Sequence, residues 1–71
     1  MPIDINFITE TVKKAGSMNV RIVPMVGQDM NHGNHQIEVN QNGQWTIIAA
    51  GVKRTLAEQM VNQALNRTIC G

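Results

Sequence analysis

Cysteine is all but missing from this 71-residue chain, which has one, Cys70. A single thiol cannot close a bridge within the chain, so a disulfide-stapled secreted scaffold is excluded. Aromatics are as scarce: Phe7, Trp45 and no tyrosine. The core must therefore be aliphatic, built from Ile, Val, Leu, Met and Ala. Charged residues make up only 15%. Eight Asn and six Gln take their place, giving a polar but weakly charged surface. The balance of +1 at pH 7 is not the footprint of a strongly basic nucleic-acid binder. No apolar run approaches the ~20 residues of a membrane span. The first seven residues lack the basic and apolar regions of a signal peptide. These absences lead us to expect a cytoplasmic protein without a membrane segment, in which the Asn66-Arg67-Thr68 sequon is idle. There is also no glycine-rich phosphate loop and no pair of carboxylates beside an apolar pocket. The expectation is that the chain is not an enzyme and holds no cofactor.

What is present is enough for one core. Apolar residues are 42% of the chain, and a chain of this size buries about 60% of its unfolded surface, which allows a single domain over residues 1–71. A first helix is predicted over residues 5–15. Asp4 is its N-cap, Ile3 and Ile8 form a hydrophobic staple, and Ile5, Ile8, Val12 and Ala15 lie on one face with Phe7 at its edge. Lys13 and Lys14 suit its C-terminal dipole, and Gly16 closes it. A short strand follows over residues 20–25, with Pro24 suited to a sheet edge. A polar loop over residues 27–34 comes next.

A hairpin is predicted from strands 36–40 and 44–50 around Asn42-Gly43. A two-residue turn would pair Val39 with Thr46 and leave Trp45 and Ile47 opposite the Ile37 face. A three-residue loop would instead gather Ile37, Val39, Trp45, Ile47 and Ala49 on one face, and this register is expected. It puts Trp45 in the core rather than on an exposed face where it would stack a base. The last helix is predicted over residues 56–67, opened by a Thr55–Glu58 capping box, with Leu56, Ala57, Met60, Val61, Ala64 and Leu65 as its stripe. The expected fold class is α+β: an α-β-β-β-α chain with a three-stranded antiparallel sheet and both helices packed on one face.

Few residues advertise chemistry. His32 and His35 are three apart, with Asp29 three before His32, but they lie in a Gly/Asn loop. Two solvent-facing histidines and no metal site are expected. Cys70 sits one residue from the end, with nothing to organise it as a nucleophile. The stretch 51–55 is more informative. Lys53 and Arg54 immediately precede a helix start, where backbone N–H groups and cationic side chains both favour an anion.

Element order and spacing together resemble the double-stranded RNA-binding domain over nearly the whole chain. Phe7-Ile8, Glu10 and Gly16 fall at offsets similar to the family's apolar pair, glutamate and closing glycine. His32 lies near the position of the family's loop histidine. Gly51, Lys53-Arg54, Ala57 and Ala64-Leu65 look like its Gly–basic–Ala helix opening. The chain departs from the pattern at Thr55 and Glu58 beside the basic cluster, at Met30 and Asn31 before His32, and at Ile37 in the second strand. The resemblance implies a module that recognises duplex shape. Glu10 would meet 2′-hydroxyls in one minor groove, and His32 would enter the next. Lys53 and Arg54 would hold phosphates across the major groove between them. With so few phosphate contacts, such binding would weaken in moderate salt. The near-neutral, amide-rich surface supports an alternative: a small protein-interaction module that self-associates as a homodimer or docks on a larger complex, in the manner of phage-encoded modulators.

Overall fold

The computed structural model describes residues 4–29 and 32–66. The elements run α1 (Ile5–Ala15), a 3₁₀ turn (Ser17–Asn19), β1 (Val20–Pro24), β2 (Asn34–Gln41), β3 (Gln44–Lys53) and α2 (Arg54–Ala64). The α-β-β-β-α order is thus the expected one, and the three strands form an antiparallel sheet in the order β1-β2-β3.

Chemical signals at both ends set α1. Asp4 Oδ1 accepts from the Phe7 N–H at 3.1 Å, so the cap is satisfied by a side chain. At the other end Gly16, at φ 85, donates its N–H to the Val12 carbonyl at 2.9 Å. A φ in that region favours glycine. Only Ile8 and Val12 of this helix are buried. Ile5 and Phe7 remain half exposed, which narrows the stripe expected from their spacing. Ile3, the expected staple partner, lies outside the described residues.

The hairpin corrects the expected register. Gln41 pairs with Gln44 and Val39 with Thr46, so the turn has two residues, Asn42 and Gly43, at φ 56 and φ 83. Two successive positive φ values are what the type I′ turn demands, and Asn-Gly is its strongest signal. The parity problem posed by that turn is solved further along the strand. A β-bulge inserts Ile48, so that Ala49 rather than Ile47 comes opposite Ile37. A second irregularity, at Gly51 with φ 74, sets Val52 opposite His35. Trp45 and Ile47 therefore point to the face without helices and stay exposed, not buried as the three-residue loop required.

The start of α2 is corrected as well. The helix begins at Arg54, two residues earlier than expected, and Lys53 is the N-cap with no side-chain cap bond. Thr55 is already helical, so it does not form the capping box with Glu58. The reason is that β3 continues to Lys53 and passes straight into the helix. The helix ends at Ala64, and Asn66 follows with φ 57; the expected end near Arg67 lies outside the described residues.

Both helices contact the sheet. Ile8 and Val12 of α1, Ile37 and Val39 of β2, Ala49 and Val52 of β3, and Ala57, Met60, Val61 and Ala64 of α2 form one buried cluster. That cluster is entirely aliphatic. Leu56, expected in the stripe, is 45% exposed instead. Among the described residues no helix is long and apolar enough to cross a membrane.

Candidate nucleic-acid interface

One end of the sheet gathers three of the four residues singled out above. Asn34, at the start of β2, pairs with Lys53, at the end of β3. The β1–β2 loop and the N-terminus of α2 are therefore neighbours. Lys53 closes the gap: its Nζ donates to the His32 carbonyl at 2.8 Å. The loop is braced from inside by side-chain bonds to backbone. Asp29 Oδ1 accepts from the His32 N–H at 3.2 Å, and Gln28 Oε1 accepts from the Asn34 N–H at 3.1 Å. The Gly33 N–H reaches the Asp29 carbonyl at 2.9 Å. A Cβ at Gly33 would sit 2.6 Å from the Asp29 nitrogen, so only glycine fits there. The result is a rim in which the His32 side chain is exposed to solvent, with Arg54 on the next residue after Lys53.

The electrostatics of this rim are balanced. Asp29 Oδ1 lies 4.0 Å from His32 Nδ1. Arg54 Nε lies 3.9 Å from Glu58 Oε1, one helical turn on. His32 and Arg54 thus each have an acidic neighbour, and exposed pairs of this kind add little net stabilisation. Lys53 retains the most freedom to meet a phosphate, since its bond is to a neutral carbonyl.

His35 is not solvent-facing as expected. It is 3% exposed on the helix side of β2, and its Nδ1 lies 3.1 Å from the Gly33 carbonyl. The pairing with Val52 carries it inward. The two histidines therefore point apart, one into solvent and one into the fold. No group of three His, Cys, Asp or Glu side chains is placed to hold a metal among the described residues.

Glu10 stands elsewhere. It is exposed on α1 and shares a cleft with Thr11, Lys13, Lys14 and Gln41. Gln41 ends β2 beside the Asn42-Gly43 turn, at the opposite end of the hairpin from Lys53. Three of the four candidate residues thus meet at one end of the sheet, and Glu10 stands alone among them at the other.

A further set of residues was not anticipated. On the open face of the sheet, Arg21 Nε donates to Glu38 Oε1 at 2.6 Å, and the Arg21 guanidinium lies 4.1 Å from the centre of the Trp45 ring. Gln36 donates to the other Glu38 oxygen. Burial pushes the Glu38 carboxyl up, but the hydrogen bonds from Arg21 and Gln36, with the charge of Arg21, outweigh it and hold the group below its ordinary value. The signal for this cluster was the alternation of Gln36, Glu38 and Asn40 between apolar residues, once the hairpin register is known.

Comparison with protein-family models, with curated proteins and with solved structures finds no match to the chain. The fold and its rim define a small α+β module.

Proposed function

We propose that the chain is a non-catalytic module that recognises the shape of double-stranded RNA. The observation that carries this reading is the bond from Lys53 Nζ to the His32 carbonyl. It joins the exposed loop and the helix start into one continuous rim, so a duplex touching one also meets the other. In this reading His32 enters a minor groove while Lys53 and Arg54 meet phosphates of the adjoining major groove. Glu10, at the other end, meets 2′-hydroxyls of a second minor groove. Recognition is of A-form geometry, so sequence preference is weak.

The test is a fluorescence anisotropy titration of the full chain with a 20-base-pair RNA duplex at low salt. With two or three phosphates neutralised, the logarithm of affinity should fall with the logarithm of salt with a slope of roughly −2 to −3. Lys53→Ala should weaken binding by about tenfold. A DNA duplex of the same sequence that binds as tightly as the RNA would sink the reading, as would no binding at all.

A second reading, a module that docks on another protein, is favoured by a different observation. Trp45 and Ile47 are 37% and 53% exposed on the open face of the sheet, where a neutral, half-apolar patch suits protein better than phosphate. Affinity capture from host lysate with and without nuclease separates the two. Loss of captured protein on nuclease treatment points to RNA; retention points to direct protein contact.

A further inference from the structure

The two edges of the sheet differ in a way the RNA reading does not use. Edge strands expose unpaired N–H and C=O groups, and proteins blunt them with charge, proline or short length. The β1 edge has only five residues and carries both Arg21 and Pro24. The β3 edge has neither device where it leaves the turn. Residues 44–50 (Gln, Trp, Thr, Ile, Ile, Ala, Ala) include no charge and no proline, and the strand is ten residues long. Its first irregularity comes only at Ile48.

The register identifies the free groups. Gln41 and Gln44 flank a two-residue turn and so exchange hydrogen bonds across the ladder. Alternation then aims the N–H and C=O of Trp45 and Ile47 away from β2, before the bulge. These are the same two residues whose side chains lie exposed on the open face.

We infer that β3 is the interface for a second copy of this chain, paired antiparallel about a two-fold axis at Thr46. In that register Trp45 of each copy lies opposite Ile47 of the other. Both pairs exchange their main-chain hydrogen bonds, and the aromatic and β-branched side chains meet on the open face. Self-pairing is favoured because residues 44–50 carry no charge and the Arg21 guanidinium over Trp45 is already paired with Glu38, so the two-fold brings no unpaired like charges together. An isologous contact of this kind closes, giving a dimer with a six-stranded sheet rather than a fibre. The interface lies at the turn end of the hairpin, away from Lys53 but at the end where Glu10 stands; self-association is measured without RNA, so its outcome is separate from that of the RNA titration.

Sedimentation velocity on the full chain tests it, with far-UV circular dichroism as the check on folding. The wild type should sediment as a dimer at about 100 µM. Ile47→Lys, which replaces the apolar partner of Trp45 and gives this edge the lysine that blunts edge strands, should shift it to monomer. Thr46→Cys in a Cys70→Ser background provides a second measurement. Opposed residues of a non-hydrogen-bonded pair have Cα atoms about 4.5 Å apart, within the span of a disulfide. Diamide should therefore link that variant into a covalent dimer. A monomeric wild type, a dimer untouched by Ile47→Lys, or no cross-link at Thr46→Cys would each overturn the proposal.

Discussion

Glu38 shows how one side chain converts register into stability. It is 8% exposed yet ionised, because Arg21 and Gln36 bond its two oxygens. Its folded value lies below the ordinary 4.5. The unfolded chain therefore binds the proton more readily, and stability must rise with pH across that interval. The contribution of Glu38 is complete at neutral pH and is lost as the pH falls below 4.5 through the lowered folded value. Urea unfolding of the wild type should show a midpoint that drops between about pH 5 and pH 3. Glu38→Gln should start lower at pH 7 and lose less over the same interval; equal losses would remove Glu38 from the account. Gly33 is the other decisive residue. With a Cβ there 2.6 Å from backbone, Gly33→Ala should cost about 1–3 kcal/mol and loosen the loop that carries His32. Neither role is visible in the sequence. Gly33 reads as an ordinary loop glycine, and Glu38 as an exposed strand charge, until Arg21 is known to sit opposite it.

Elements were legible where a local chemical signal fixes them, and misread where a distant constraint decides. The bounds of α1 follow from Asp4 and Gly16, which act within one turn of themselves. Asn42-Gly43 locates the hairpin turn and is itself the two-residue signature, but the demand for one apolar face favoured a longer loop. A single apolar face along the whole strand requires unbroken alternation, and the bulge at Ile48 breaks it. The two-residue turn sends Trp45 to the open face, and the inserted Ile48 then brings Ala49 inward. The capping box at Thr55 failed for a similar reason, since β3 continues into the helix without a loop. The two caps make a sharp comparison. Asp4→Ala removes a side-chain bond to a free N–H and should cost about 1 kcal/mol. Thr55→Ala removes a helical residue's hydroxyl, not a cap, and should stay within about 0.5 kcal/mol. Thermal or urea unfolding of both variants reads the difference directly. A cost for Thr55→Ala matching that for Asp4→Ala would restore the later helix start.

At the scale of the molecule, the limits of a small core govern how function can be tested. A 71-residue fold is expected to be stable by only about 4–10 kcal/mol. Its largest fully buried side chains are Ile8, Ile37, Val12 and Val39, so no single aromatic anchors the core. Ile37 is central: it pairs with Ile22 of β1 and Ala49 of β3, and it belongs to the buried cluster that includes residues of both helices. Ile37→Ala should cost about 2–5 kcal/mol, a large part of the whole. The candidate rim draws little on that core. Lys53 and Arg54 are exposed, and their pairs are a carbonyl and a solvent-facing glutamate. Binding and folding should therefore separate cleanly. Lys53→Ala should leave the urea midpoint within error of wild type while weakening RNA binding by about tenfold. Ile37→Ala should lower the midpoint sharply, and its loss of binding should track the unfolded fraction. If Lys53→Ala instead lowers the midpoint as Ile37→Ala does, the Lys53–His32 bond is a structural brace for the loop, and the rim loses its best claim to a phosphate.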